Sequence, residues 1–425
     1  MPHLDRPLRT ARAVSLAAAG ALAIALLPAE PAVAANSIDS RFFGVHDSQP
    51  VGTGVGGWAR APVGSLRVWD AGASWREIEK TRGNFDFSRL DAIVSQARAK
   101  GSEVLLVLGQ TPVFHSTNKT VPGFYGPGAA AMPNLTAWRT YVRKVVRRYG
   151  TRVKYQVWNE ANVTGFWRGT PEQMALLTKV TDTVLREENR GAFLVAPAMG
   201  TRLGGMSGTG FIDRFYGTRV SGQRVAAFVD AVSLQLYPRA DGSPESSMSQ
   251  LRSVRGILAK HRVAKPIWNT EINYGLTGGV VNKVSYLSNS RQAAFVARTY
   301  LLNAANGVKR VYWYSWDLHS IANTRMVYSD RHTLTPAGKA FGVVRSWMVN
   351  TRMEGCSRNS RGTYTCLISY GSGKKRVYWN PSRTVYVKTA ASATWWQGVG
   401  GAKHTIRGGR SLKIGSSPIL VRSRR

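Results

Sequence analysis

Residues 155–167 read YQVWNEANVTGFW. An apolar, aromatic run stops at Asn159-Glu160, and further aromatics and a glycine follow. Two readings of Glu160 are open. An acid suits the first turn of a helix, where it meets the positive end of the helix dipole and faces solvent. Alternatively it ends a buried strand, which makes sense only if the rest of the chain builds a site around it. The flanking segments decide. From residue 38 onward, short β-branched or aromatic runs alternate with amphipathic helical stretches. The strand candidates are RFFGV (41–45), SLRVW (65–69), EVLLVLG (103–109), VKYQVW (153–158), AFLVAPA (192–198), AVSLQLY (231–237), KPIWNTEI (265–272) and RVYWYSW (310–316).

Between them lie FSRLDAIVSQARAKG, LTAWRTYVRKVVRRYG, PEQMALLTKVTDTVLREENRG, SQLRSVRGILAKH and SNSRQAAFVARTYLLNAANG, with TPAGKAFGVVRSWMV closing the series. Several end in glycine, as helices commonly do. Alternating strands and helices predict a parallel sheet. Eight units over some 310 residues fit a closed (β/α)8 TIM barrel better than an open doubly wound sheet. The continuous apolar strands agree, since barrel strands are buried on both faces. The first unit shows no obvious helix, so closure there is inferred.

The ends of the chain differ from this middle. Residues 1–34 combine a basic start, the apolar run SLAAAGALAIALL and the small-residue site Ala32-Val33-Ala34. That pattern is a secretory signal, and the apolar run is too short for a membrane span. The expected organisation is a signal over 1–34, a catalytic barrel over 35–350 and a small domain over 351–425. Past Asn350, 75 residues hold 15 Lys or Arg and one acid, Glu354, for a net +14. Short alternating runs between Gly, Ser, Asn and Pro read there as an antiparallel, sandwich-like β domain. Cys356 and Cys366 are the only cysteines. In an exported chain they predict one local disulfide, tying the first strand of that domain to the preceding loop; two reduced buried thiols are the alternative.

The formal net charge is +35. Removing Arg6, Arg9, Arg12, Asp5 and Glu30 with the signal leaves about +34. Such an excess attracts polyanions. No nucleic-acid motif is present, so an anionic envelope polymer or an acidic polysaccharide is the expected partner, against the alternative of charge merely spread over the surface. The chain is expected to be secreted, extracellular or held at the cell envelope, with no membrane span.

Residues 52–57, GTGVGG, match GxGxxG, but the next strand follows within a few residues and no helix opens at the last glycine. They are read as a loop, with no dinucleotide cofactor. HExxH is absent, as is any tight cluster among the seven histidines, and GxSxG is absent too. A zinc hydrolase and an α/β-hydrolase serine are therefore not expected, and no metal or organic cofactor is implied. The carboxylates remain. In a (β/α)8 barrel, catalytic groups stand at the C-terminal ends of strands. Two acids hold that place, Glu160 after the fourth strand and Glu271 in the seventh, each just behind a Trp-Asn pair. Two carboxylates facing one pocket are what glycosidic bond cleavage requires.

On these residues the chain resembles a clan of retaining (β/α)8 glycoside hydrolases, nearest to its family 39-like and family 5-like (cellulase-like) branches. Asn159-Glu160 matches the clan's Asn and acid/base Glu, and Glu271 in WNTEINYG matches its nucleophile. GSLRVWDAGASW and EKTRGNFDFSRLDAIVSQARAKG resemble the second unit, with Arg67 at the position of the usual arginine. SLQLYP resembles the strand-six segment, where Tyr237 matches a tyrosine that contacts the nucleophile. YWYSWD resembles strand eight, and Trp316, chosen over Trp313, matches the sugar platform. One departure concerns substrate subclass: the common His-x-Tyr reads Gln235-Leu236-Tyr237 here. The resemblance covers residues 38–350, and family 39-like members often add a C-terminal β-sandwich.

What the resemblance implies is a secreted retaining glycosidase acting on a poly- or oligosaccharide by double displacement. Glu160 would be the acid/base and Glu271 the nucleophile. Arg67, Asn159 and Trp69 would hold substrate, Tyr237 would orient Glu271, and Trp316 would stack on a sugar ring. Trp69, Trp167 and Trp316 have core packing as an alternative, and Arg67 a structural ion pair. His46, after FFGV, reads as a satisfied polar residue, with lining of the pocket mouth as the alternative. The competing class is a non-catalytic carbohydrate or wall binder with a degenerate barrel cleft. A carboxylate separation of about 5 to 5.5 Å would favour the retaining enzyme.

Overall fold

The computed structural model describes residues 35–51, 58–59, 61–239, 241–275, 287–317 and 324–424. The secretory signal and the GTGVGG loop lie outside these residues. The first strands in chain order are β1 (Asn36–Ile38), β2 (Phe43–His46), β3 (Ser65–Val68), β4 (Glu103–Leu108), β5 (Lys154–Val157) and β6 (Leu194–Val195). A small hairpin follows, β7 (Arg219–Val220) and β8 (Gln223–Arg224), and then β9 (Val232–Gln235), β10 (Ile267–Ile272) and β11 (Arg310–Trp313). Eight of these form one sheet in the order β6-β5-β4-β3-β2-β11-β10-β9. Every neighbouring pair is parallel. Parallel bridges from Val195 to Ala231 and from Gly200 to Gln235 join the two outer strands and close the barrel. Seven of the eight barrel strands fall inside the segments expected from sequence, and β2 runs one residue past its segment, to His46.

The helices are α1 (Trp75–Ile78), α2 (Ser88–Ala99), α3 (Leu135–Tyr149), α4 (Pro171–Glu188), α5 (Thr209–Gly217), α6 (Pro244–Lys260), α7 (Asn289–Ala305) and α8 (Pro336–Met348). No helix is described between β2 and β3, as the sequence implied. Helix α6 starts five residues before SQLRSVRGILAKH, because Ser243 caps it and Pro244, whose φ is already helical, takes its first turn. Helix α5 falls between the segments expected from sequence. It is nine residues long and buries Phe211, Ile212, Phe215 and Tyr216, too short a run for its periodicity to stand out.

The barrel's shell shows how pattern becomes packing. Along α3, Trp138, Tyr141, Val142, Val145, Val146 and Tyr149 recur at helical spacing and are buried. Asn134 starts the helix by accepting a hydrogen bond from Ala137 N–H at 3.1 Å, and Gly150, at φ 54°, ends it. Trp138 Nε1 donates to Thr181 Oγ1 of α4 at 2.9 Å, and Tyr141 stacks on Trp75 at 4.8 Å. Truncating Trp138 to Ala would cost about 3–5 kcal/mol by loss of this burial. Among the described residues no helix is long and apolar enough to cross a membrane.

After α8 come β12 (Thr351–Arg358), β13 (Tyr364–Tyr370), β14 (Gly373–Trp379), β15 (Val385–Lys388), β16 (Ala393–Gly398), β17 (Lys403–Thr405), β18 (Ser411–Ile414) and β19 (Ile419–Ser423). They build an antiparallel sheet in the order β1-β12-β13-β14-β19-β16-β17, with β15 and β18 as a separate ribbon. Residues 36–38, ahead of the barrel, thus belong to the C-terminal sheet. That sheet packs on the barrel's helices: Trp347 Nε1 of α8 donates to Gln397 Oε1 at 2.8 Å, and Trp379 Nε1 donates to Glu245 Oε1 of α6 at 3.1 Å. The disulfide joins Cys356 to Cys366. The two cysteines stand opposite each other on β12 and β13, so the segment before the first expected strand is itself a strand and not a loop.

Candidate active site

The barrel interior is not wholly apolar. Arg67 (β3), Gln156 (β5), Ser233 and Gln235 (β9) and Thr270 and Glu271 (β10) are buried polar residues on barrel strands. Arg67 is the hub. Its Nε donates to Gln156 Oε1 at 2.7 Å, its Nη1 to Glu271 Oε2 at 2.8 Å and its Nη2 to Asn159 Oδ1 at 2.8 Å. Gln156 Nε2 passes the network on to Ser233 Oγ at 2.7 Å and Ala196 O at 3.1 Å. A buried guanidinium costs several kcal/mol unless paired and hydrogen-bonded throughout, and these partners meet that cost.

Glu271 is held on both oxygens. Tyr237 Oη donates to Oε1 at 2.8 Å, and Gln235 Nε2 joins Arg67 at Oε2, 3.0 Å away. Gln235 Nε2 also reaches Asn159 Oδ1 at 3.2 Å. Burial pushes the Glu271 carboxyl above the usual range, while the Arg67 charge and the Tyr237 hydroxyl pull it back. Glu160 differs. Among the described residues its carboxylate has no hydrogen-bond partner. Burial, and then the Glu271 charge, push it up to about 8, with Arg202 and Arg67 opposing. The two carboxyls therefore sense each other electrostatically.

The backbone after β5 makes this placement. Trp158 has φ 59° and Glu160 φ 44°, both in the left-handed region and neither a glycine. Such residues cost of order 1 kcal/mol or more each and persist only where their surroundings over-determine them. Here Trp158 Nε1 donates to Phe166 O at 2.8 Å and Ala161 N–H to Ala198 O at 2.9 Å. Asn162 braces the next loop through both its side-chain atoms, each 2.9 Å from Gly200 backbone.

The structure brings Arg67, Asn159, Tyr237 and Glu271 into one hydrogen-bonded cluster, with Glu160 coupled to it by charge. Trp69 is buried and stands edge-on to Tyr125 at 5.6 Å. Trp316 is 2% exposed and packs edge-on against Phe341 of α8 at 6.1 Å, in the hydrophobic core. Trp167 is also core, against Trp158 at 5.0 Å. The aromatic that borders the carboxylates from strand eight is Tyr314. Its ring meets His46 edge-on at 5.0 Å, and its hydroxyl donates to Asp70 Oδ2 at 3.1 Å. Tyr125 donates to the other oxygen of Asp70. Burial raises the Asp70 carboxyl, and both phenols lower it.

His46 is 3% exposed, with Nε2 3.0 Å from Thr270 O. Burial and the nearby Arg67 hold its pKa well below the usual range, so it is neutral, donates from Nε2 and leaves Nδ1 as an acceptor. Sequence reasoning did not single out Gln156, Asp70, Tyr125 or Tyr314. A signal did exist for Gln156: a polar residue within the apolar run VKYQVW. Asp70 and Tyr125 meet across 55 residues, which no local pattern announces. Among the described residues no group of three or more His, Cys, Asp or Glu could hold a metal ion. A separate groove of about 560 Å³ beside α3, lined by Glu79, Phe85, Phe114 and Lys144 among others, contains none of these groups.

Residues 113–341 match the family described as glycosyl hydrolase catalytic core, more than half of the chain, and the chain belongs to that family. The fold and this family match thus define a (β/α)8 glycoside hydrolase. Among solved structures it is similar to a family 39 glycoside hydrolase from Bacteroides cellulosilyticus WH2, with 18% identity, 92% of this chain and 83% of that chain covered, and a TM-score of 0.69. It is also similar to a family 39 β-xylosidase from Caulobacter crescentus (16% identity, 92% and 98% covered, TM-score 0.63). A third likeness is to a family 30 subfamily 8 xylanase, Xyn30A, from Clostridium acetobutylicum (15% identity, 91% and 97% covered, TM-score 0.60). No curated protein matches the sequence.

Proposed function

We propose that this chain is a secreted, retaining glycosidase that cleaves O-glycosidic bonds of a poly- or oligosaccharide by double displacement. The observation that carries the proposal is the contrast between two carboxyls in one cleft. Glu271, bound by Arg67, Tyr237 and Gln235, ionises first and is the nucleophile. Glu160, desolvated beside that negative charge and pushed up to about 8, keeps its proton near neutral pH and is the general acid.

In the first step a Glu271 oxygen attacks the anomeric carbon, the bond to the leaving oxygen breaks, and Glu160 gives that oxygen its proton. In the second step Glu160, now ionised, takes a proton from water as the water oxygen displaces Glu271. Two inversions give net retention. When Glu271 becomes an ester its charge disappears, and the Glu160 carboxyl loses its strongest electrostatic push toward protonation, which suits its change from acid to base. Asn159 spends Oδ1 on Arg67 and Gln235 and keeps its amide N–H groups for a sugar hydroxyl. Tyr314, not Trp316, borders the reacting centre as the strand-eight aromatic, with Trp69 and Tyr125 forming a neighbouring wall. The similar structures include a β-xylosidase and a xylanase, so xylosides open the substrate panel.

The decisive experiment follows product anomers by NMR. Retained configuration in the first-formed product supports the reading, and inversion removes it. Export is tested by N-terminal sequencing of protein recovered outside the cell. A start directly after Ala34 is expected, and a start beyond Ser40 counts against it.

A further inference from the structure

One row of residues crosses the C-terminal sheet on the face turned toward α8. Register places Lys375 of β14 opposite Arg422 of β19, and Arg422 opposite Trp395 of β16. Lys403 of β17 lies opposite Gln397, one step along that face. Two aromatic rings hold the cations. Lys375 Nζ is 4.7 Å and the Arg422 guanidinium 5.1 Å from the centre of the Tyr370 ring. Arg422 is also 6.0 Å, and Lys403 Nζ 5.2 Å, from the Trp395 ring. Arg422 Nε donates to Tyr370 Oη at 3.0 Å, and Lys375 Nζ donates to Trp347 O at 3.1 Å.

Among the described residues, no carboxylate pairs with Lys375, Arg422 or Lys403. Several barrel arginines, by contrast, meet acids: Arg143, Arg147, Arg148, Arg186 and Arg298. Three like charges in one row repel, and Lys375 registers it: burial and then Arg422 lower its pKa. Yet the rings and hydrogen bonds fix the side chains, so the ordering entropy of a binding site is already spent. Arg422 Nη1 and Nη2 and Lys403 Nζ have no hydrogen-bond partner among the described residues and are the donors left for a ligand.

We propose that the Tyr370–Lys375–Arg422–Trp395–Lys403 row docks a carboxylated polysaccharide. It spans β13, β14, β19, β16 and β17, about 19 Å at the usual strand spacing of ~4.8 Å, which suits a repeating anion better than a single ion. The planar fork of Arg422 matches a carboxylate in two-point fashion. The row shares one compact unit with the barrel, so a polymer held there stays on the same body as the carboxylates. The choice of a saccharide rests on the glycosidase reading; the binding itself does not.

The test measures binding of the full chain to polygalacturonate at low salt. Lys403→Glu, at an exposed edge-strand position, is expected to weaken binding about tenfold, since it exchanges an attraction for a repulsion. Arg422→Lys, which keeps the charge and removes the fork, is expected to weaken it severalfold. Both variants should hydrolyse a small aryl glycoside at the parent rate and melt at the parent temperature. Glu271→Gln should bind polygalacturonate as the parent does, which separates this proposal from failure of the catalytic one. Binding of Lys403→Glu within about twofold of the parent overturns the proposal. So does tighter binding of the parent to polyphosphate of equal charge density, which marks a general polyanion surface.

Discussion

The ends of the fourth and seventh barrel strands carry the same residue in opposite surroundings. At β10, Glu271 lies within a strand, where the register shifts against both neighbours, and receives donors from three side chains. At β5, Glu160 sits past the strand on a left-handed backbone, in contact with the cleft and without a hydrogen-bond partner among the described residues. Both are desolvated, and burial alone would raise both. What separates them is that hydrogen bonds and a guanidinium stabilise one anion, while the other faces that anion. Residue type does not set the role; the donors around it do.

The largest effect should come from removing the better-supported anion. Glu271→Gln is expected to lose about 10^4-fold or more in kcat on every glycoside while still binding sugar. Ordinary activity in that variant would break the comparison at once. Glu160→Ala should be selective: about 10^2- to 10^4-fold slower on poor leaving groups and much less affected on activated aryl glycosides. With an activated substrate, azide should restore turnover and give a glycosyl azide of retained configuration.

The pH profile sharpens the same contrast. Glu160 works protonated, so wild-type activity should fall as pH rises through about 8. It should fall on the acid side as Glu271 takes up a proton. Glu160→Ala on an activated glycoside should lose the alkaline limb and keep the acid one. Tyr237→Phe removes one donor to the Glu271 anion, a charged hydrogen bond of about 1.5–3 kcal/mol, so kcat should drop roughly tenfold to a hundredfold. Its acid limb should move to higher pH, because the tyrosine hydroxyl lowers the Glu271 pKa. An unmoved limb would show that Tyr237 only packs.

The smallest effect concerns stability. A carboxyl whose folded pKa is raised contributes stability that is complete below its unfolded pKa and is lost as pH rises through the folded value. For Glu160 that window runs from the ordinary carboxylate range to about 8. Glu160→Gln removes the ionising group. It should therefore gain on the parent, on the order of 1–2 kcal/mol, as pH rises across that window, read as a melting-temperature difference. A difference that does not change with pH would mean Glu160 is solvated like any surface acid.

Much of this was legible in the chain itself. The eight apolar runs, their helical spacers and the glycines at helix ends are local signals, because strand and helix burial repeat at fixed periods. VKYQVWNE and KPIWNTEI placed Glu160 and Glu271 at strand ends, since a barrel orders its strands by sequence. Arg67 and Tyr237 stood out only through the family resemblance. Helix α5 and the strands β16 and β19 were less visible, being short and set among turns.

The resemblance implied the two roles, but the physical basis of the contrast was not legible, because it depends on donors arriving from β3 and from the end of β9 at once. The aromatic at the end of strand eight shows the same limit. YWYSW offers alternating side chains, and only the turn of the chain beyond β11 sends Trp316 into the core against Phe341 while Tyr314 meets His46 and Asp70. The sequence by itself determined the order of strands and helices, the two carboxylates and the basic C-terminal segment, since each is written in neighbouring residues. Only the tertiary structure decided which donors surround each carboxyl, which aromatic borders them and that residues 36–38 complete the C-terminal sheet. Each of these rests on contacts between segments far apart in the chain, where closing the barrel, and no local preference, sets the distance.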